Sequence, residues 1–234
     1  MNTHNEFNPI KEVLFFIPAS KFYQMRNFPL FFVIQLAFLT SCSFITSESS
    51  TSQLYLDSNG ITIKCEKCKV GQKGKVNEIE FEVVDNDLLR TRIKQGADLS
   101  KLCTSLVTDL STDNDEGFFL NRAFNQNIAN WDVSNVVTMK WMFINTAFNQ
   151  PIGIWDVSNV KNMKGMFQNS PFNQPIGNWD VSKVTDMSWM FSNSLFNQSI
   201  NKWCVTSIKS EPEQFSMGSA LTFQNKPKWG TCPS

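Results

Sequence analysis

Apolar positions along the chain fall into three regimes. Residues Phe28 to Leu39 (FPLFFVIQLAFL) form an apolar run of twelve, broken only by Gln35. Further on, ITIKCEKCKV and EIEFEVV read as strands joined by a Gly-rich turn around Gly71 to Gly74. Asp85-Asn86-Asp87 then predicts the start of a helix through Leu88, Leu89 and Ile93 that ends near Gly96. From Phe124 onward the pattern repeats. FNQNIANWDVSNVVTMKWMFINTA, FNQPIGIWDVSNVKNMKGMFQNSP and FNQPIGNWDVSKVTDMSWMFSNSL begin at Phe124, Phe148 and Phe172, and a fourth copy opens at Phe196 with FNQSINKW before diverging. Thirteen of the 24 positions are identical in all three full copies, so coincidence is not a competitor.

Each copy predicts one strand and one helical turn. Phe124, Gln126 and Ile128 share a face at period two. Val136, Met139, Met142 and Phe143 make a helical stripe, with Asp132 and Ser134 placed to cap its orphan amides. A lone strand and turn cannot bury both faces, so copies must stack on their neighbours. Val107-Thr108-Asp109-Leu110 matches Val184-Thr185-Asp186-Met187 and marks a degenerate first coil. The expected fold class is therefore an α/β solenoid of about five 24-residue coils, a block roughly 20–25 Å long, with a small α+β cap on its N-terminal side.

The apolar run is shorter than the roughly 20 residues that span a bilayer, but it suits the core of a signal peptide. Leu39-Thr40-Ser41-Cys42 follows it immediately and resembles the lipobox of bacterial lipoproteins. That resemblance implies a lipid on Cys42 and anchorage to the outer membrane at the cell surface. Ser43 to Ser52 then reads as a flexible tether. Met25-Arg26-Asn27 offers a compact positive flank, so translation is expected to start at Met25. The expected organisation is a signal peptide over 1–41, a tether over 42–53, an α+β cap over 54–105, the repeats over 106–203 and a capping repeat over 204–234.

Composition removes several function classes. Lys plus Arg and Asp plus Glu each total 21, which leaves no basic stripe for nucleic acid. The single histidine, His4, lies in the segment expected to be removed, so imidazole general bases and imidazole metal sites are not expected. Asp132, Asp156 and Asp180 recur in every copy, which suits turn capping and not the single irregular constellation of an active site. The acidic stretch Ser111 to Gly117 (STDNDEG) could offer calcium its carboxylates, but reads as a solvated loop. No catalytic residue, metal or cofactor is expected.

Recurring amides such as Asn125, Gln126 and Asn145 are expected to bond to one another and to turn backbone. Trp131, Trp155, Trp179 and Trp203 are expected to form a buried ladder. Trp141 and Trp189 differ, because Gly165 occupies their place in the middle copy. Packing therefore does not demand a large side chain there, and the two indoles are the candidate ligand-binding residues.

Export permits disulfides. Cys204 stands where the repeat has Asp and Cys232 closes the chain, so these two are the preferred pair. Cys103 is expected to bridge Cys65 or Cys68, Cys65 being preferred. Cys65-x-x-Cys68 has neither a second such motif nor histidines to complete four zinc ligands.

FNQPIGNWDVSKVTDMSWMF resembles the repeat of the BspA-like leucine-rich-repeat surface proteins, over Val107 to Trp229. LYLDSNGITIKC, FEVVDNDLLRTRI and TSLVTDL resemble the module that precedes such repeats, and NKPKWGTCP resembles their closure. The resemblance implies a leucine-rich-repeat-like, right-handed stack on a bacterial surface and adhesion to protein or glycan at a cell or matrix surface. A self-associating envelope component is the alternative, and a polysaccharide-acting enzyme a more distant one.

Overall fold

The computed structural model describes residues 51–112, 118–119 and 123–233. The signal segment, His4, Cys42 and most of the acidic stretch Ser111 to Gly117 lie outside the described residues. Among the described residues no helix is long and apolar enough to cross a membrane.

The N-terminal module holds all the regular strands among the described residues. β1 (Gln53–Leu56) pairs antiparallel with β2 (Ile63–Glu66), Leu54 facing Cys65. β3 (Lys73–Val76) pairs antiparallel with β4 (Ile79–Val83). Asn77 and Glu78 join them with φ of 48° and 63°. Two left-handed central residues give a hairpin turn whose twist matches its strands. The Gly-rich stretch is thus partly strand, and the turn falls later than the glycines suggest. Parallel to β4 runs β5 (Leu102–Cys103).

Between β4 and β5 lies α1 (Asn86–Lys94), the one α-helix among the described residues. Asp85 caps it by accepting from Leu88 N at 2.9 Å, and Leu89 is wholly buried. Gly96, at φ 68°, turns the chain away. Arg92 donates to both carboxylate oxygens of Glu82 at 2.7 and 2.6 Å, tying α1 to β4. That fork holds the Glu82 carboxyl below its ordinary range.

The expectation of an α/β solenoid is overturned here. Among the described residues no helix occurs in the repeats, nothing in them closes as an α/β coil, and the fold is β-rich. The stretch read as a helical turn is where the copies pair. Thr138 bridges in parallel to Asp109 and to Asn162, and Asn162 to Asp186. Met139, Trp141, Phe143 and Asn145 donate their N–H to Asn162, Lys164, Met166 and Gln168 of the next copy at 2.8 to 3.0 Å. Amides committed to the next copy cannot bond four residues back, so no helix forms. Left-handed residues at Trp141 and Asn145, both at φ 57°, break the helical path as well.

The stretch read as a strand is also corrected, since Phe124 to Ile128 carries no strand pairing. Side-chain amides do that work. Asn149 N donates to Asn125 Oδ1, Asn173 N to Asn149 Oδ1 and Asn197 N to Asn173 Oδ1, each at 2.9 Å. Each of these Oδ1 atoms also accepts from the glutamine beside its partner, Gln150, Gln174 or Gln198. Asp132, Asp156 and Asp180 accept from the backbone of the serine two residues on. These aspartates cap turns, not helices.

The core is a continuous aromatic stack. Phe143, Phe167 and Phe191 follow one another at 5.7 Å between ring centroids, and Phe148, Phe172 and Phe196 at 6.1 Å. The two columns touch nearly face to face at 3.9 to 4.1 Å. A perpendicular ring stands at each end. Phe118 meets Phe119 edge-on at 81°, and Phe215 meets Phe191 at 87°. Such edge-to-face closure is favourable for aromatic quadrupoles and covers a column that would otherwise end on an open face. The tryptophans Trp131, Trp155, Trp179 and Trp203 are buried beside the phenylalanine columns.

Candidate functional site

Position 141 and its equivalents, 165 and 189, are left-handed in every copy, with φ of 57°, 59° and 62°. Glycine suits that conformation, and an L side chain costs roughly 1–2 kcal/mol there. The middle copy carries Gly165; the flanking copies carry tryptophan. The indoles are only partly buried, so the core does not explain them.

Both indoles line one groove of about 590 Å³. The Trp141 indole lies over Gly165, where a Cβ would stand 2.6 Å from Trp141 Nε1. Lys140 sits over the Trp141 ring at 4.4 Å and positions it by a cation–π contact. One wall holds the left-handed Asn145 and Asn169, with Asn169 Nδ2 donating to Asn145 Oδ1 at 2.9 Å; the ladder continues beyond the groove as Asn193 Nδ2 donates to Asn169 Oδ1 at 3.2 Å. Gln168, Lys164 and Glu213 complete the lining. Their side-chain polar groups, and the indole N–H of Trp141 and Trp189, have no hydrogen-bond partner or ion pair among the described residues. The groove therefore offers two aromatic faces, free donors and one charge of each sign.

A second hollow, of about 550 Å³, lies over β3, β4 and the segment after α1. Six of its seven charged side chains are paired, Lys73 with Glu80, Arg92 with Glu82 and Lys101 with Asp98, and Glu78 has no ion pair among the described residues. It offers a ligand little that is unpaired.

The cysteines resolve as follows. Cys204 and Cys232 form a disulfide. The expected bridge from Cys103 to Cys65 is not formed; Cys65, Cys68 and Cys103 are thiols. They gather around β2 and β5 with Ile63, Phe81 and Val83. Burial pushes the thiols of Cys65 and Cys103 upward, and the neighbouring Cys68 adds to the effect on Cys65. Protonated thiols are poor nucleophiles and poor ligands. Among the described residues no three His, Cys, Asp or Glu side chains converge to hold a metal ion.

The sequence picked out Trp141 and Trp189, and the structure brings them to one groove. Gln168, Lys164, Glu213 and the Asn145 ladder were not singled out as groove residues. The alternation Trp, Gly, Trp at one repeat position was the available signal, because glycine at an aromatic position marks a left-handed residue.

A β-rich run of 24-residue copies carrying an aromatic-lined groove defines a repeat protein. A family model described as Mycoplasma protein of unknown function, DUF285, matches residues 112–229, half of the chain. The chain belongs to that family. Searches of the curated proteins and of the solved structures found no match.

Proposed function

We propose that the chain is a non-catalytic binding module that presents the Trp141–Trp189 groove to a protein or glycan at a cell or matrix surface. The observation that carries this reading is the pair of tryptophans at left-handed positions where the middle copy has glycine. The likeness of the repeat to BspA-like surface proteins supports the same reading, as does the lipobox-like Leu39-Thr40-Ser41-Cys42, which would place the module on a lipid anchor outside the cell. The acids that recur in each copy are committed to turn capping, which favours binding over catalysis.

The test is a binding screen of the full chain against matrix proteins, immobilised glycans and bacterial cells, beside a Trp141→Ala/Trp189→Ala variant. Specific capture that the double variant loses supports the module. Capture that survives it moves recognition to another face. Concentration-dependent sedimentation without any capture favours a self-associating envelope component.

A further inference from the structure

We propose that residues 211–218 form an open edge of the stack that takes an extended segment of a partner protein as one further rung. The ladder between copies carries the argument. Trp189, Phe191 and Asn193 donate their N–H to the carbonyls of Glu213, Phe215 and Met217 at 2.8 to 2.9 Å. The turns inside that last rung repeat those of the copy before. Phe215 N donates to Pro212 O and Met217 N to Gln214 O, as Met190 N does to Met187 O and Ser192 N to Trp189 O. Gln214, Ser216 and Gly218 therefore stand one copy on from Trp189, Phe191 and Asn193, with their N–H groups directed to where a further copy would lie. None of these three N–H groups has a hydrogen-bond partner among the described residues. A row of unpaired backbone donors is a template for another chain.

Other features mark the same rung. Met217 is 54% exposed, whereas Ser192, its equivalent in the copy before, is wholly buried. An apolar side chain thus stands beside the free donors, where a covering segment would bury it. Gln214 Oε1 is buried without a partner, which leaves an acceptor at the rung as well. Pro212 takes the place of Met187 and has no N–H, so the usable row is the three donors at alternate residues.

The occupant follows from the donors and from the backbone path. Two copies of this edge would set N–H against N–H, which excludes a symmetric pair. The opposite end of a second copy is already engaged: Asn86 Oδ1 accepts from Thr108 N and Asp109 N, and Arg90 donates to Ser111 O. The partner is thus a separate chain that supplies carbonyls from alternate residues, as in strand addition. Its path is constrained too. The rungs are left-handed at two positions four apart, 141 and 145, 165 and 169, 189 and 193, and 214 and 218. A segment in register with the three donors turns left-handed at the same two places, which favours glycine or asparagine four residues apart.

The probe is a synthetic peptide of the protein's own residues 160–171, which carries Gly165 and Asn169 at those two places. Amide hydrogen exchange of the full chain is followed with and without it. At saturation the peptide should slow exchange at Gln214, Ser216 and Gly218 at least about tenfold. A Gly165→Val/Asn169→Val peptide should slow none of them. Met217→Ser installs the residue of the preceding copy; it should weaken peptide binding and leave the Phe167 and Met190 amides protected as in the parent. Peptide binding that leaves the three amides unchanged overturns this edge as the site. Equal protection by the valine peptide overturns the left-handed occupant. Protection that rises with protein concentration alone gives the edge to a second copy and overturns the partner segment. No protection under any of these conditions overturns the proposal outright.

Discussion

The indole of Trp141 lies over Gly165, in space that a Cβ at residue 165 would need. Two costs meet there, a collision with the ring and a φ of 59°. Gly165→Ala should destabilise the protein by about 2 kcal/mol. In a Trp141→Gly background the collision disappears and only the backbone cost remains, so the penalty should fall to about 1 kcal/mol. Urea unfolding of the four members of this cycle measures both.

The buried tryptophans contain an internal control. Trp179 and Trp203 donate their indole N–H to Ile152 O and Ile176 O, whereas the Trp155 N–H is buried without a partner. Trp179→Phe removes a hydrogen bond to Ile152 O, which keeps only the backbone N–H of Trp155 as donor, and leaves a void; Trp155→Phe leaves only the void. Trp155→Phe should therefore cost about 1 kcal/mol less, read as the difference in unfolding free energy between the two variants.

The Glu82–Arg92 fork carries a pH dependence of known sign. Glu82 is held below its ordinary value of about 4.3. Its stabilising contribution is therefore present above that value and is lost as pH falls through the depressed folded value. Acid titration of hydrogen exchange at Leu89 should show β4 and α1 loosening in that window. In Arg92→Ala the dependence should flatten.

Closure of the last coil rests on Cys204–Cys232, 28 residues apart. Reduction, or Cys204→Ser, should cost about 3 kcal/mol. The loss should appear in faster exchange of the Val205 and Gly230 amides, which bond to Thr231 O and Ile208 O. The Phe167 and Met190 amides, deeper in the stack, should be little affected.

Much of this architecture was legible in the sequence. The 24-residue period put Phe124, Phe148, Phe172 and Phe196 in one column, and Asp85 and Gly96 bracketed α1. The secondary structure inside the repeat was not legible, for a physical reason. Val136, Met139, Met142 and Phe143 fit a helical period, but their burial comes from left-handed turns between rungs, and apolar periodicity does not encode the sign of φ. Asn145 and Gly165 encode it more directly, since both residue types tolerate the left-handed region. The bridge expected at Cys103 failed for a related reason. Assigning Cys204 to Cys232 left Cys65, Cys68 and Cys103 for one another but carried no information on whether their thiols would join.

The central claim is that Trp141 and Trp189 are kept for binding and not for folding. The measurement that tests it most directly takes one double variant, Trp141→Gly/Trp189→Gly, and determines its unfolding free energy and its binding side by side. The account predicts a free energy within about 1 kcal/mol of the parent, since relief at φ 57° and 62° offsets the partial burial lost, together with loss of binding. Retained binding, or a collapse of stability by several kcal/mol, would contradict it.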